Sequence, residues 1–420
     1  MDKFLIHGPT RLEGSVSTAT AKNAVLPILA ACLLTEEPCV IRDVPLLEDV
    51  RTMARLLRSM GVKVELRKRT MKIAAAGKIE RTAPYDIVRK MRAGYYVLGP
   101  LLGRFGDARV SLPGGCAIGP RPVDLHLKGI AALGAEVRLE HGYIHATGRP
   151  LRGGTMVLEG ASGPSVGATA NTMMAASLAS GETVIEGAAC EPEVTDLAGF
   201  LVAMGAKIKG HGTPVVRIKG VKRLHGADYR PIPDRIEAGT LAVAAAITRG
   251  NLEITACEPE HLTSVIDRLR QAGATVEADK RRLVVSAERR PGSVTFATAP
   301  YPGFPTDLQA QFSTLLAIGH GTSIVTENVF ESRFLHALEL NRMGAKIDIN
   351  GRMAVIQGVE HLSGAQVMAS DLRASAALVL AAIAARGETE IQRIYHLDRG
   401  YESLERKLGG VGAKIERVSY

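Results

Sequence analysis

One short phrase occurs six times along this chain, and it constrains the fold more than any other feature. It reads MGVKVEL from Met60, LGAEVRL from Leu133, MGAKIKG from Met204, AGATVEA from Ala272, MGAKIDI from Met343 and VGAKIER from Val411. The glycines at 61, 134, 205, 273, 344 and 412 are separated by 73, 71, 68, 71 and 68 residues. A near-constant period of this length signals repeated supersecondary units. Each phrase closes an amphipathic segment, such as VRTMARLLRSMG or LTSVIDRLRQAG. A glycine just past a helix relieves the left-handed position there, and the alternating V-x-V or I-x-I that follows predicts a half-buried strand.

A second element recurs within the units: a small-residue helix, a turn, then a strand. NTMMAASLASGETVIEG, GTLAVAAAITRGNLEIT and RASAALVLAAIAARGETEIQ are examples. These helices are apolar most of the way round, which predicts burial. Six units of one buried helix, one surface helix and several strands would place helices inside and sheets outside. The period does not itself group the units. Two sets of three would give two lobes of ordinary domain size. The PIPDR stretch at Pro231 to Pro233 suits a linker on its prolines.

Composition narrows the function. The chain has 420 residues, 46% of them hydrophobic and 23% charged, as expected of a soluble protein with a sizeable core. Aromatics make up 4% and tryptophan is absent, so base-stacking platforms are not expected. The net charge of +9 is dispersed. Runs such as Arg67 to Arg69 and Lys280 to Arg282 read as solvated faces, so anionic small substrates are favoured over nucleic acid. Five cysteines, at 32, 39, 116, 190 and 257, show no CxxC spacing. That argues against a disulfide framework or zinc site and suits a reducing cytoplasm. The N-terminus has no signal-peptide core. The longest apolar run, Ala374 to Ala385, is too short to span a bilayer.

Chemistry concentrates in LPGGCAIGPRPVDLH, from Leu112 to His126. Gly114, Gly115, Gly119 and Pro120 predict a tightly turned or mobile loop around Cys116. Arg121 could hold an anion beside the thiol and favour thiolate, and a buried structural cysteine is the alternative. Lys22 stands where a helix start could meet an anion, although most lysines are simply surface residues. Arg92, Arg121 and Arg399 carry forks that suit carboxylate and phosphate, or surface ion pairs. Asp307, between a proline turn and a helix start, could cap the helix or serve as a general base. The glycine-containing stretch Ser165, Val166, Gly167 suits a phosphate. There is no Walker loop and no GxGxxG after a strand, so neither ATP nor NAD is suggested.

Many stretches, in order along nearly the whole chain, resemble the enolpyruvyl transferases that act on UDP-N-acetylglucosamine. They include the cysteine loop, AKNAVLPIL, APYDIVRKMRA, PSVGAT, PDRIEAGT, FPTDLQAQ, VFESRFLH, DLRASAALVLA and YHLDRGYE. The resemblance implies a two-lobed inside-out α/β barrel built from six repeated units, with the active site in the cleft. One lobe would be 22–232, and the other 1–21 plus 233–420. It implies that Lys22, Arg121 and Arg399 hold phosphoenolpyruvate. Cys116 would be the general acid and the thiol on which a phospholactoyl adduct can form, open to alkylation by fosfomycin. Asp307 would take the proton of the sugar 3-hydroxyl. Asn23 and Arg92 would touch the nucleotide sugar. Arg121, Pro122, Val123, Asp124 and Leu125 would hold uracil and ribose, and Ser165, Val166 and Gly167 the diphosphate. Val329, Arg333, Asp371 and Arg373 would line the cleft.

The resemblance implies no cofactor, no metal, no membrane insertion and no particular oligomer. Its small-molecule partners would be phosphoenolpyruvate and UDP-N-acetylglucosamine. Three departures stand out: Thr20 where the family often has glycine, Gly163 where some members have lysine, and Tyr96 where some have tryptophan. Thr20 bears on hinge geometry and rate rather than on reaction type. Two other readings compete. One is the sister reaction on shikimate 3-phosphate, which LPGGC and RPVDLH disfavour. The other is a non-catalytic paralogue, which the presence of Lys22, Cys116, Arg121, Asp307 and Arg399 disfavours.

Overall fold

The computed structural model of the chain describes residues 2–112 and 123–419. Cys116, Arg121 and Pro122 therefore lie outside the described residues. The contacts divide the described chain into two compact units. One comprises residues 2–19 and 233–419, the other residues 20–112 and 123–232.

The described residues form six four-stranded sheets and one two-stranded sheet, with three of the larger sheets in each unit. All six share one plan: a parallel pair, followed by two antiparallel pairings. In one, Gln366–Met368 runs parallel to Gly387–Gln392, which pairs antiparallel with Asp2–Gly8. Asp2–Gly8 in turn pairs antiparallel with Lys414–Ser419. In the other unit, Asp228–Tyr229 runs parallel to Cys39–Ile41, followed by Thr70–Ala74 and Lys63–Arg67. The repeated phrase explains this uniformity. Its six glycines all have positive φ, from 84° to 111°, and each lies between a helix and an edge strand of its sheet. Any residue with a Cβ would be strained there.

Strands alternate buried and exposed positions, as in Val215–Lys219 and Met353–Gln357. One face of each sheet thus meets the core and the other meets solvent. The alanine-rich helices are the core itself. Arg235–Ile247, Gln309–Ala317 and Leu372–Ala384 pack on one another, and every residue from Ile236 to Ile247 is buried. In the second unit Leu98–Phe105 packs on Val166–Ala176. A Cβ on Gly99 would lie 2.3 Å from the Asn171 carbonyl oxygen, so only glycine permits this approach. The amphipathic helices Glu48–Ser59 and Thr263–Gln271 cover these cores with one face and expose the other. Each unit is therefore inside-out, with helices central and sheets peripheral.

The cores are aliphatic, as the scarcity of aromatics requires. The main aromatic exception is a cluster of Phe296, Phe304 and Phe312, whose ring centroids lie 4.3–5.7 Å apart. Among the described residues, no helix is long and apolar enough to cross a membrane.

Candidate active site

In the unit of residues 2–19 and 233–419, three central helices begin with an aspartate nearby, and the three aspartates do different things. Asp234 caps Arg235–Ile247, accepting from the N–H groups of Ile236 and Glu237 at 2.8 and 3.0 Å. Asp371 caps Leu372–Ala384, accepting from Arg373 and Ala374 at 2.9 and 3.0 Å. Asp307 makes no such cap. Its Oδ1 accepts from Arg333 Nη2 at 2.6 Å and its Oδ2 from Arg373 Nη2 at 2.8 Å. Both guanidiniums are nearly buried, at 6% and 5% side-chain exposure, against 26% for Asp307.

Burial alone would raise the Asp307 pKa. The charges and hydrogen bonds of Arg373 and Arg333 outweigh it and hold the carboxyl well below the usual carboxylate range. Asp307 is thus a fixed anion with one oxygen on each arginine. Each oxygen keeps a lone pair for a further donor. Tyr401, which packs against Arg373, is fully buried. Its hydroxyl lies 2.8 Å from Thr240 Oγ1 and accepts from Gln311 Nε2 at 3.1 Å, and the Arg373 guanidinium stacks 5.5 Å above its ring. Val329 lies on the turn after Thr322–Thr326, and Arg399 ends the short helical turn Ile394–Arg399.

In the unit of residues 20–112 and 123–232, Lys22 is the first residue of the buried helix Lys22–Ala31. Its Nζ donates to Asp49 Oδ2 at 3.0 Å, with both side chains at least nine-tenths buried. The surface reading of this lysine is thereby corrected. Asn23 beside it is exposed. Ser165 caps Val166–Ala176 by accepting from the Ala168 N–H at 3.3 Å. Val123, Asp124 and Leu125 lead into the helix Asp124–Ala132, which packs on Val166–Ala176. Arg92 opens the turn Arg92–Val97.

Sequence reasoning missed the groups that lock these stretches together. Buried His126 sits 3.0 Å through Nδ1 from Asn171 Nδ2, and its ring stands edge-on to Tyr95 at 4.9 Å. Burial, with the Arg92 charge adding to it, lowers the His126 pKa to about 3, so the imidazole is neutral. Its ring fills the space where Gly167 lacks a side chain. Asp49, Thr306 and Glu327 were missed likewise. The signal was present for one contact. Asp307 and Arg373 occupy comparable helix starts 66 residues apart, close to the repeat period.

A family model described as EPSP synthase (3-phosphoshikimate 1-carboxyvinyltransferase) matches residues 6–408. The chain belongs to this family. Within it, the chain is similar to the UDP-N-acetylglucosamine 1-carboxyvinyltransferase of Methylacidiphilum infernorum (isolate V4). The two are 52% identical over 418 residues, spanning 100% of this chain and 99% of that one. It is 54% identical over 421 residues to the UDP-N-acetylglucosamine 1-carboxyvinyltransferase 2 of Carboxydothermus hydrogenoformans, with 100% of each chain covered. Among solved structures, the enolpyruvyl transferase NikO from Streptomyces tendae superposes with a TM-score of 0.90 at 26% identity, over 100% of this chain and 99% of that one. An EPSP synthase from Acinetobacter baumannii shares the fold, with a TM-score of 0.75 at 19% identity and both chains fully covered. The fold is that of the enolpyruvyl transferases.

Proposed function

We propose that this chain transfers the enolpyruvyl group of phosphoenolpyruvate to the 3-hydroxyl of UDP-N-acetylglucosamine and releases phosphate. The observation that carries this reading is identity above half, over the full length, to carboxyvinyltransferases named for that acceptor. The family model is named for the shikimate reaction. The solved EPSP synthase shares only 19% identity, which supports the fold and not the acceptor. Retention of Lys22, Asp307, Arg333, Arg373 and Arg399 speaks against a paralogue that has lost catalysis.

The chemistry is addition followed by elimination. The sugar 3-oxygen bonds to C2 of phosphoenolpyruvate while Cys116 delivers a proton to the methylene carbon. The 3-hydroxyl proton passes to Asp307. The methyl group then returns a proton to the Cys116 thiolate as the C–O bond to phosphate breaks, and the proton taken by Asp307 leaves with the phosphate. Lys22, Arg121 and Arg399 neutralise the carboxylate and phosphate of the donor. Asp307 is a weak base while two arginines hold it. It therefore serves first to aim the hydroxyl, and accepts the proton only as the new C–O bond forms. Asn23, Arg92, Arg121 to Leu125, Ser165 to Gly167 and Val329 hold the nucleotide sugar. Asp371 acts by positioning Arg373, whose N–H it caps.

The product is the first committed precursor of peptidoglycan. On this reading the chain serves cell-wall biogenesis, and through it cell shape and division, and works in the cytoplasm. Phosphate release with phosphoenolpyruvate and UDP-N-acetylglucosamine tests the reading. No release, or faster release with shikimate 3-phosphate, overturns it.

A further inference from the structure

We propose that Glu327 is a positioning residue that aims Asp307, acting through Thr306 and Arg333, and fixes the Val329–Phe330 backbone in the same stroke; this rests on the enolpyruvyl-transfer reading above. Glu327 has no exposed surface. Its Oε1 accepts from Thr298 Oγ1 at 2.8 Å, the Val329 N–H at 2.9 Å and the Phe330 N–H at 3.0 Å. Its Oε2 accepts from Thr306 Oγ1 at 2.9 Å. Four donors converge on one buried carboxylate, and a side chain committed this fully is fixed in place.

The direction of the hydrogen bonds carries the argument. Thr306 spends its single hydroxyl proton on Glu327, so its oxygen is left to accept. It accepts from Arg333 Nη1 at 2.8 Å. The other arm of that guanidinium, Nη2, reaches Asp307 Oδ1 at 2.6 Å. The guanidinium is planar and its two arms are rigidly related, so fixing Nη1 fixes Nη2. The chain Glu327–Thr306–Arg333–Asp307 therefore has one polarity, set at its buried end. Glutamine at 327 would present an NH₂ group to one oxygen or the other. Facing Thr306, the NH₂ would turn the hydroxyl proton away from residue 327 and compete with Arg333 for the Thr306 oxygen; facing Thr298, Val329 and Phe330, it would leave those donors without their acceptor and free the side chain to shift. Glu327 touches no reacting atom.

The primary test is the carboxyl ¹³C titration of Asp307 by NMR on the ligand-free protein, which needs no turnover. With Arg333 less tightly held, Asp307 in Glu327→Gln should titrate higher by about one pH unit. Thr306→Val removes the relay hydroxyl at nearly constant volume and should shift it the same way. Thr306→Ser, which restores the hydroxyl, should shift it back. In the wild type's own phosphate-release assay, kcat/KM for UDP-N-acetylglucosamine should fall about tenfold or more in Glu327→Gln, the scale of a lost hydrogen bond to a charged group. The acidic limb of its pH profile should move to higher pH. If Glu327→Gln does not fold, Thr306→Val against Thr306→Ser decides. An Asp307 titration unchanged in a folded variant overturns the proposal. A wild type without turnover overturns the functional reading instead, and leaves the titration to judge Glu327.

Discussion

Gly167 lies flat against His126: a Cβ on Gly167 would stand 2.6 Å from the imidazole Cε1 and 2.8 Å from Nε2. The contact joins the first turn of Asp124–Ala132 to that of Val166–Ala176, the two stretches read as holding the nucleotide sugar. Gly167→Ala must displace the ring and strain its contact with Asn171. Overpacking of this kind should cost about 1–3 kcal/mol. Denaturation should show that loss, and calorimetry should show weaker UDP-N-acetylglucosamine binding with phosphoenolpyruvate binding less affected. Wild-type stability and affinity in the variant would refute the contact's importance.

His126 also gives the protein an acid-sensitive component of stability. Its folded pKa is about 3, against an ordinary 6.5. Below pH 6.5 the unfolded chain takes up a proton that the folded chain refuses. Stability therefore falls as pH drops from 6.5 towards 3, by up to about 1.4 kcal/mol per pH unit from this group. His126→Gln removes the titration. Its stability, measured by urea denaturation from pH 7 to pH 4, should decline less steeply than the wild type's. Parallel curves would rule the effect out.

The Asp307 cluster has the same sign in a lower pH window. The folded pKa lies well below 3.8, so the stability that Asp307 contributes is complete above that value. It is lost only as pH falls below 3.8 towards the folded value. Asp307→Asn leaves two nearly buried guanidiniums without their counter-charge. It should destabilise by about 3 kcal/mol, the lower end for a broken buried pair because Asp307 keeps some solvent contact. The gap between wild type and variant should close below pH 4. Turnover should fall by about 100-fold or more. A variant with normal stability and rate would remove Asp307 from the centre of the site.

Parts of this arrangement were legible in the sequence and parts were not, for physical reasons. The helix-ending glycine followed by an alternating strand is a local signal, and all six glycines adopt the left-handed geometry it predicts. Buried helices were visible as alanine-rich segments apolar all round. The pairing of Lys22 with Asp49 was not visible, since a lysine at a helix start looks the same whether buried or free. Thr306, Glu327 and Arg333 meet through tertiary packing across 21 to 27 residues, and no local pattern encodes that. Its sequence context also allowed Asp307 to cap a helix, and the structure turns it to the arginines instead.

The cysteines give a chemical prediction. Cys32, Cys39 and Cys257 are buried. Burial raises the Cys32 thiol pKa well above its ordinary value and the Cys257 thiol to about 11. Burial also raises that of Cys190. A hydrogen bond from Cys32 lowers that of Cys39, but Cys39 has no exposed surface to offer a reagent. An epoxide phosphonate such as fosfomycin should therefore alkylate Cys116 ahead of the other four and stop turnover. Cys116→Ser should lose most activity, because a hydroxyl is a far weaker acid. Cys116→Asp should retain activity and resist the reagent, because a carboxyl can deliver a proton. Mass spectrometry locating the adduct on another cysteine would falsify the assignment.

The sheet that pairs Asp2–Gly8 with Lys414–Ser419 has a consequence for how the polypeptide matures. Asp2–Gly8 finds its partners, Gly387–Gln392 and Lys414–Ser419, only after the whole stretch between has left the ribosome. Residues 20–232 form a contiguous stretch and can complete their own core much earlier. Synthesis thus imposes an order on folding: the middle of the chain first, then the two ends together. The N-terminal strand spends that interval unpaired, an exposed edge in the nascent protein.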